Sequence, residues 1–169
     1  PAAVGMHAAI LGEAILGKSI VILGAGTIGL MVLQACKSLG ATDITVVDVM
    51  DKRLDLAKEL GASRTINGAK EDTVALLRSE ELFGDHGVEL VFECAGSTFT
   101  ANQAVQIVAR GGKIMMVGTQ SKPVPIDFLK INREVTIQTS FRYCNNYPQT
   151  IEAIRSGKFN VKDLVTHVY

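Results

Sequence analysis

The chain has 169 residues, 47% of them hydrophobic and none of them tryptophan, which is enough for one α/β domain with its own core. Lys plus Arg balance Asp plus Glu at 17 each, and no five-residue stretch is strongly basic, so nucleic acid and anionic lipid are disfavoured as partners. No apolar run reaches the length of a membrane span, so a membrane partner is not expected either.

In chain order, short apolar runs alternate with stretches of helical period, a βαβ rhythm. His7 falls on an expected first helix. "SIVILG" is a near-continuous apolar run of strand length, as expected for a strand covered on both faces of a parallel sheet. Residues 27–39 follow with Ile28, Met31, Val32, Ala35 and Leu39 at helical spacing, and Gly40 suits a C-terminal stop. "DITVVD" reads as the second strand. "KRLDLAKELGA" reads as the next helix, with Leu54, Ala57 and Leu60 on one side and Gly61 as its end. The pattern then predicts a short strand at "RTI", a helix over "EDTVALLRSEELF", a strand at "VELVFEC", a helix over "FTANQAVQIVAR" and a strand at "GGKIMMVGT". "TQSKPVPIDF" holds two prolines within three residues and is expected as a loop or edge segment. "REVTIQTSFR" alternates, with Val135, Ile137, Thr139 and Phe141 on one face, and reads as a late edge strand. The helix "YPQTIEAIRSG" closes the series, with Pro148 near its start and Gly157 at its end. The expected fold is α/β: a doubly wound, mostly parallel sheet of about six strands with helices on both faces, one domain over residues 1–169.

The first strand runs into "GAGTIG", with Gly24, Gly26 and Gly29 spaced as GxGxxG. A dinucleotide site needs a tight turn, a backbone that approaches a pyrophosphate, and close packing of helix on strand, and these glycines would serve in that order. The helix with Thr27 and Ile28 in its first turn would aim free N–H groups and the positive end of its dipole at the diphosphate. Asp48 ends the second strand, where a carboxylate can accept from both adenosine ribose hydroxyls and would repel a 2′-phosphate. NAD is therefore expected over NADP, although Lys52 and Arg53 stand close by. In the plainer alternative, Asp48 only caps the next turn. A methyltransferase site would use a similar first turn but does not need Gly29. Tyr143, Tyr147 and Tyr169 have no lysine four residues on, which excludes the tyrosine–lysine dehydrogenases.

Cys36, Cys94 and Cys144 are odd in number and form no CxxC pair, so neither a disulfide frame nor a structural zinc site is expected, and a reducing cytoplasm fits. Cys94 and Cys144 are expected as buried small hydrophobes. His7, His86 and His167 have no second ligand at metal-site spacing and are expected to be structural or solvent-facing. The start "PAAVGMHAAI" lacks a basic leader and an initiator methionine, so the chain is expected to be a cut or processed piece.

The segments "VGMHAAI", "VILGAGTIGLMVLQACKSLGA", "VVDVMDKRLDLAKELGA", "VFECAGS", "GGKIMMVG" and "FRYCNNYPQTIEAIRSGKFNVKDLVTH" resemble, in order and spacing, the medium-chain zinc-type alcohol dehydrogenase family, and most closely its polyol branch, the sorbitol and xylitol dehydrogenases. The resemblance covers essentially the whole chain. It implies a coenzyme-binding domain in which Gly24, Gly26, Thr27, Ile28, Gly29 and Asp48 hold NAD with Arg53 beside the adenosine. It further implies that the loops at Ala95 and at Gly118 and Thr119 pass along the nicotinamide half. Arg142 and Tyr143 match residues that approach the substrate in the polyol branch; read without the resemblance, they simply end a surface strand. Zinc is implied only for a preceding catalytic domain absent from this chain, so no catalytic or metal-ligating residue is expected here and the piece should bind cofactor without turnover. The implied reaction takes a hydride from a secondary alcohol or polyol, giving a ketone. The late strand bounded by Arg133 and Arg142 is implied to pair with its mate in a homodimer or tetramer. Two alternatives stay open: another alcohol or threonine-type dehydrogenase of the same family, and a non-catalytic NAD-sensing or dimerisation module.

Overall fold

The computed structural model describes residues 1–131 and 133–165. Thirteen elements are assigned among them: α1 (Ala2–Gly12), β1 (Ser19–Leu23), α2 (Thr27–Ser38), β2 (Asp43–Asp48), α3 (Asp51–Glu59), β3 (Arg64–Asn67), α4 (Thr73–Leu77), β4 (Val88–Glu93), α5 (Thr98–Ile107), β5 (Val108–Met116), α6 (Phe128–Ile131), β6 (Thr136–Thr139) and α7 (Tyr147–Arg155). The strands form one six-stranded sheet in the order β3-β2-β1-β4-β5-β6. Every pairing is parallel.

The apolar run at β1 is central, and Ile20, Val21, Ile22 and Leu23 are all fully buried. Side chains of a strand alternate between faces, so the run feeds two cores. Ile20 and Ile22 pack with Met6, Leu30, Leu33 and Leu54 of α1, α2 and α3. Val21 and Leu23 pack with Leu77, Ala104, Val105 and Ile131 of α4, α5 and α6. Helices thus cover both faces, and the crossing of α1 over α2 is tight because a Cβ on Gly5 would lie 2.5 Å from the Met31 carbonyl carbon.

Four sequence expectations are corrected. The helix expected over "EDTVALLRSEELF" is only the five-residue α4, because Arg78 leaves the helix and donates to the carbonyl oxygens of Gln106 and Val108 at the end of α5. The helix expected to run to Arg110 stops at Ile107, since Val108 already pairs with Val88 in the sheet. The register then jumps from Val88↔Val108 to Leu90↔Lys113, so residues 109–112 form a bulge in β5, with Gly111 at φ 66°. The late strand is four residues, not ten: β6 pairs parallel with Met116 and its neighbours, while Arg133, Arg142 and exposed Phe141 lie outside it. Of its alternating face only Val135, just before the strand, packs against the core, while Ile137 is exposed. Cys144 is exposed rather than buried, because the chain beyond this short strand runs over the surface. His7 is half-buried on α1, His86 is exposed, and His167 and Tyr169 lie outside the described residues.

Candidate functional site

The strand order reverses direction at β1, whose carboxyl end sits between those of β2 and β4. In a doubly wound sheet a crevice opens at this point. A cleft of about 350 Å³ is found there, with Gly24, Gly26, Asp48, Arg53, Ala95 and Phe99 among its walls.

The three glycines differ in what surrounds them. Gly24 has φ 104°, and a Cβ there would lie 2.9 Å from the Ala95 nitrogen, so the turn after β1 touches the loop after β4. Gly29 is packed against that turn, since its Cβ would stand only 1.8 Å from the Gly24 carbonyl oxygen. At Gly26 a Cβ would meet nothing within 4 Å, and the residue faces the open cleft. Gly26 is also the N-cap of α2 and offers no side-chain cap. No side chain of the N-cap meets the first-turn N–H groups of Thr27 and Ile28, which suits an anionic group at this helix start. Thr27 itself is exposed and Ile28 half-buried.

Asp48 closes β2 with its side chain 6% exposed. Its Oδ2 accepts from the Ala25 N–H at 2.7 Å, and its Oδ1 accepts from the N–H groups of Val49 at 2.8 Å and Met50 at 3.0 Å. The acid thus caps its own turn and also ties that turn to the glycine loop. Arg53, on the first turns of α3, stands 3.6 Å from Oδ2 with its side chain about half exposed at 49%. Val49 is exposed along the same cleft, and Met50 after it is exposed as well. On the floor, the hydroxyl of Thr73 is buried without a partner among the described residues, a group that a polar ligand would satisfy. Together, the open Gly26, the uncapped α2 and the unpaired Thr73 hydroxyl fit a dinucleotide.

The remaining expected residues lie elsewhere. Gly118 and Thr119 follow β5 and are packed under Gly96 rather than lining the cleft; a Cβ on Gly96 would be 2.7 Å from the Thr119 carbonyl oxygen. Arg142 has φ 54° and lies with its guanidinium 5.3 Å from the Phe141 ring centroid. Tyr143 stacks edge-on with Tyr147 at 4.9 Å. Both are exposed and outside the cleft. Cys94 lines the cleft half-buried, and burial followed by the charge of Glu93 raises its thiol well above the ordinary value. Sequence reasoning missed Thr73, Phe99, Gln103 and above all Glu93, an acid at the end of an apolar strand. Glu93 is fully buried and its carboxylate collects hydrogen bonds from the loops after both β4 and β5. No three His, Cys, Asp or Glu side chains come together as a metal-holding group among the described residues, so these residues do not fit zinc and no step through a metal is assigned to them.

Residues 27–156 match the family model described as zinc-binding dehydrogenase. A zinc-type alcohol dehydrogenase-like protein of Escherichia coli (strain K12) is 63% identical over 169 residues, covering 100% of this chain and 48% of the relative. The sorbitol dehydrogenase of Bacillus subtilis (strain 168) is 39% identical over 172 residues, covering 100% and 48%. A zinc-binding dehydrogenase of Sinorhizobium meliloti 1021, solved bound to NADP, superposes with a TM-score of 0.93 at 26% identity, covering 98% of this chain and 49% of that one. The chain spans about half the length of the relatives it matches.

Proposed function

The chain belongs to the zinc-binding dehydrogenase family, and on that premise we propose that it is the cofactor-binding domain of an NAD-dependent dehydrogenase that oxidises a secondary alcohol of the polyol class, such as sorbitol or xylitol, to a ketone. The observation that carries this reading is the buried Asp48 carboxylate beside the open space above Gly26.

A bound nicotinamide cofactor supplies the hydride acceptor. In this reading Gly24 and Gly26 give its pyrophosphate room, and the N–H groups of Thr27 and Ile28 donate to it. Gly29 holds α2 close enough to β1 for that donation. Asp48 accepts from the adenosine ribose hydroxyls, and Arg53 covers the adenine side. Ala95, Gly118 and Thr119 shape the path of the nicotinamide half, and Arg142 and Tyr143 face the substrate once a zinc-binding catalytic domain is in place. The polyol assignment draws on the sorbitol dehydrogenase relatives. Zinc would belong to that other domain, which leaves this chain alone able to bind cofactor but not to turn over. We place the protein in the cytoplasm, and assign a homodimer or tetramer contact to the open edge at β6, where unpaired backbone groups accept a second strand.

The test is an oxidation assay of the full-length protein on sorbitol, xylitol, simple alcohols and threonine. Polyol oxidation with NAD supports the proposal. Activity confined to primary alcohols or to threonine contradicts it. A second reading, NADP as cofactor, is favoured by Arg53 at 3.6 Å from Asp48, since a guanidinium there could turn outward to a 2′-phosphate.

A further inference from the structure

Glu93 ends β4 with a carboxylate wholly withdrawn from solvent. Such a group loses its hydration on burial and persists only if its lone pairs are met. Four donors meet them. Oε1 accepts from the N–H groups of Ala95 at 3.0 Å and Gly96 at 2.8 Å and from the Thr100 hydroxyl at 2.7 Å, and Oε2 accepts from the Gln120 side-chain amide at 2.8 Å. All four donors are neutral. Among the described residues no Lys, Arg or His forms an ion pair with Glu93. It is satisfied as an acceptor and uncompensated as a charge.

Its position matters as much as its charge. The Glu93 carbonyl oxygen accepts from the N–H groups of Val117 at 2.9 Å and Gly118 at 2.8 Å. A Cβ on Gly118 would lie 2.4 Å from the Gly96 nitrogen and 2.8 Å from Glu93 Oε2. The carboxylate therefore sits under the point where the loops after β4 and β5 meet. If the cofactor is bound as set out above, on which this inference rests, those loops run along the nicotinamide half.

We propose that Glu93 biases the redox state of the bound cofactor: its unpaired negative charge, fixed beneath these two loops, favours the oxidised nicotinamide over the reduced one. The oxidised ring carries a positive charge and the reduced ring is neutral. Packing and hydrogen bonding change the affinity of both forms together, whereas a fixed charge separates them. Removing it should reduce the preference for the oxidised form by roughly three- to tenfold, as for charges several ångströms apart at an intermediate effective dielectric.

The experiment is equilibrium titration of the chain with NAD⁺ and with NADH, giving the ratio Kd(NADH)/Kd(NAD⁺). Two variants cancel the charge by different routes. Glu93→Gln is isosteric, and the amide of Gln120 can rotate to present its oxygen. Gln120→Lys keeps the carboxylate and places an ammonium within its reach. The ratio is expected to fall roughly three- to tenfold in both. An unchanged ratio, with both cofactors still bound, overturns the inference and leaves the cofactor assignment standing. If Glu93→Gln does not fold, the result for Gln120→Lys decides. Failure of the unsubstituted chain to bind either cofactor overturns the cofactor assignment and this inference with it.

Discussion

Gly26 and Gly29 differ by three positions and should fail in opposite ways when each is replaced by alanine. At Gly29 the new methyl would stand 1.8 Å from the Gly24 carbonyl oxygen, where a carbon–oxygen contact needs roughly 3.3 Å. Helix and turn must therefore separate by about 1.5 Å, yet the turn is pinned by Gly24 N–H donating to the Val47 carbonyl oxygen at 2.7 Å. A backbone clash of this kind belongs at the upper end of overpacking costs, about 3 kcal/mol. In a domain of this size that lowers Tm by roughly 6–12 °C. At Gly26 the methyl meets nothing within 4 Å, so the fold loses only the N-cap preference of glycine over alanine, about 1 kcal/mol at most. The same methyl enters the space assigned to the pyrophosphate, and NADH affinity should fall by about tenfold or more, equivalent to ~1.4 kcal/mol. Thermal melts and NADH titration of both variants make the comparison. The reasoning is refuted if Gly29→Ala melts with the unsubstituted chain, or if Gly26→Ala binds NADH equally well.

Three further outcomes follow from local geometry. Asp72 caps α4 by accepting from the N–H groups of Val74 and Ala75 at 3.0 Å each, so Asp72→Ala should cost about 1 kcal/mol and roughly 2–4 °C in Tm, read by calorimetry. Hydrogen bonds from Lys70 and then Asn67 hold the Asp51 carboxyl below its ordinary value. A depressed folded value means stability that is present above the unfolded pKa and lost as pH falls through the folded one. The Tm gap between the unsubstituted chain and Asp51→Asn should therefore exist at neutral pH and close in acid; a gap that persists below the carboxylate range contradicts this. Burial pushes the thiols of Cys36 and Cys94 up, while Cys144 is exposed. Iodoacetamide at about pH 8 should label the folded chain once, at Cys144, by peptide mass mapping; a second label on native protein refutes it.

The parallel sheet was legible because its central strands are uninterrupted apolar runs, and the glycine turn because its backbone demands leave a fixed spacing. Gly24, Gly26, Asp48, Arg53 and Ala95 do meet around one cleft. Periodicity failed where a long-range partner overrides a local preference. Arg78 abandons its helix to cap α5, and Val108 is taken into the sheet while its neighbours still read as helical. At β6 the alternation was genuine but only Val135 of that face reaches the core, so it foretold neither the length of the strand nor a buried face. Glu93 was invisible for a related reason. Ala95, Gly96 and Thr100 follow it closely in sequence, but the sharp turn that folds their donors back onto its carboxylate leaves no periodic signal, and Gln120 reaches it only through the parallel pairing of β4 with β5.

The central claim is that Asp48 and the glycine turn form a site selective for NAD. Titration of the chain with NADH and NADPH, repeated on Asp48→Asn, tests it most directly. The account predicts NADH binding at least about tenfold tighter than NADPH, with the difference narrowing once the carboxylate is gone. Equal or tighter NADPH binding by the unsubstituted chain would mean that Arg53 and Lys52 outweigh Asp48, and would contradict it.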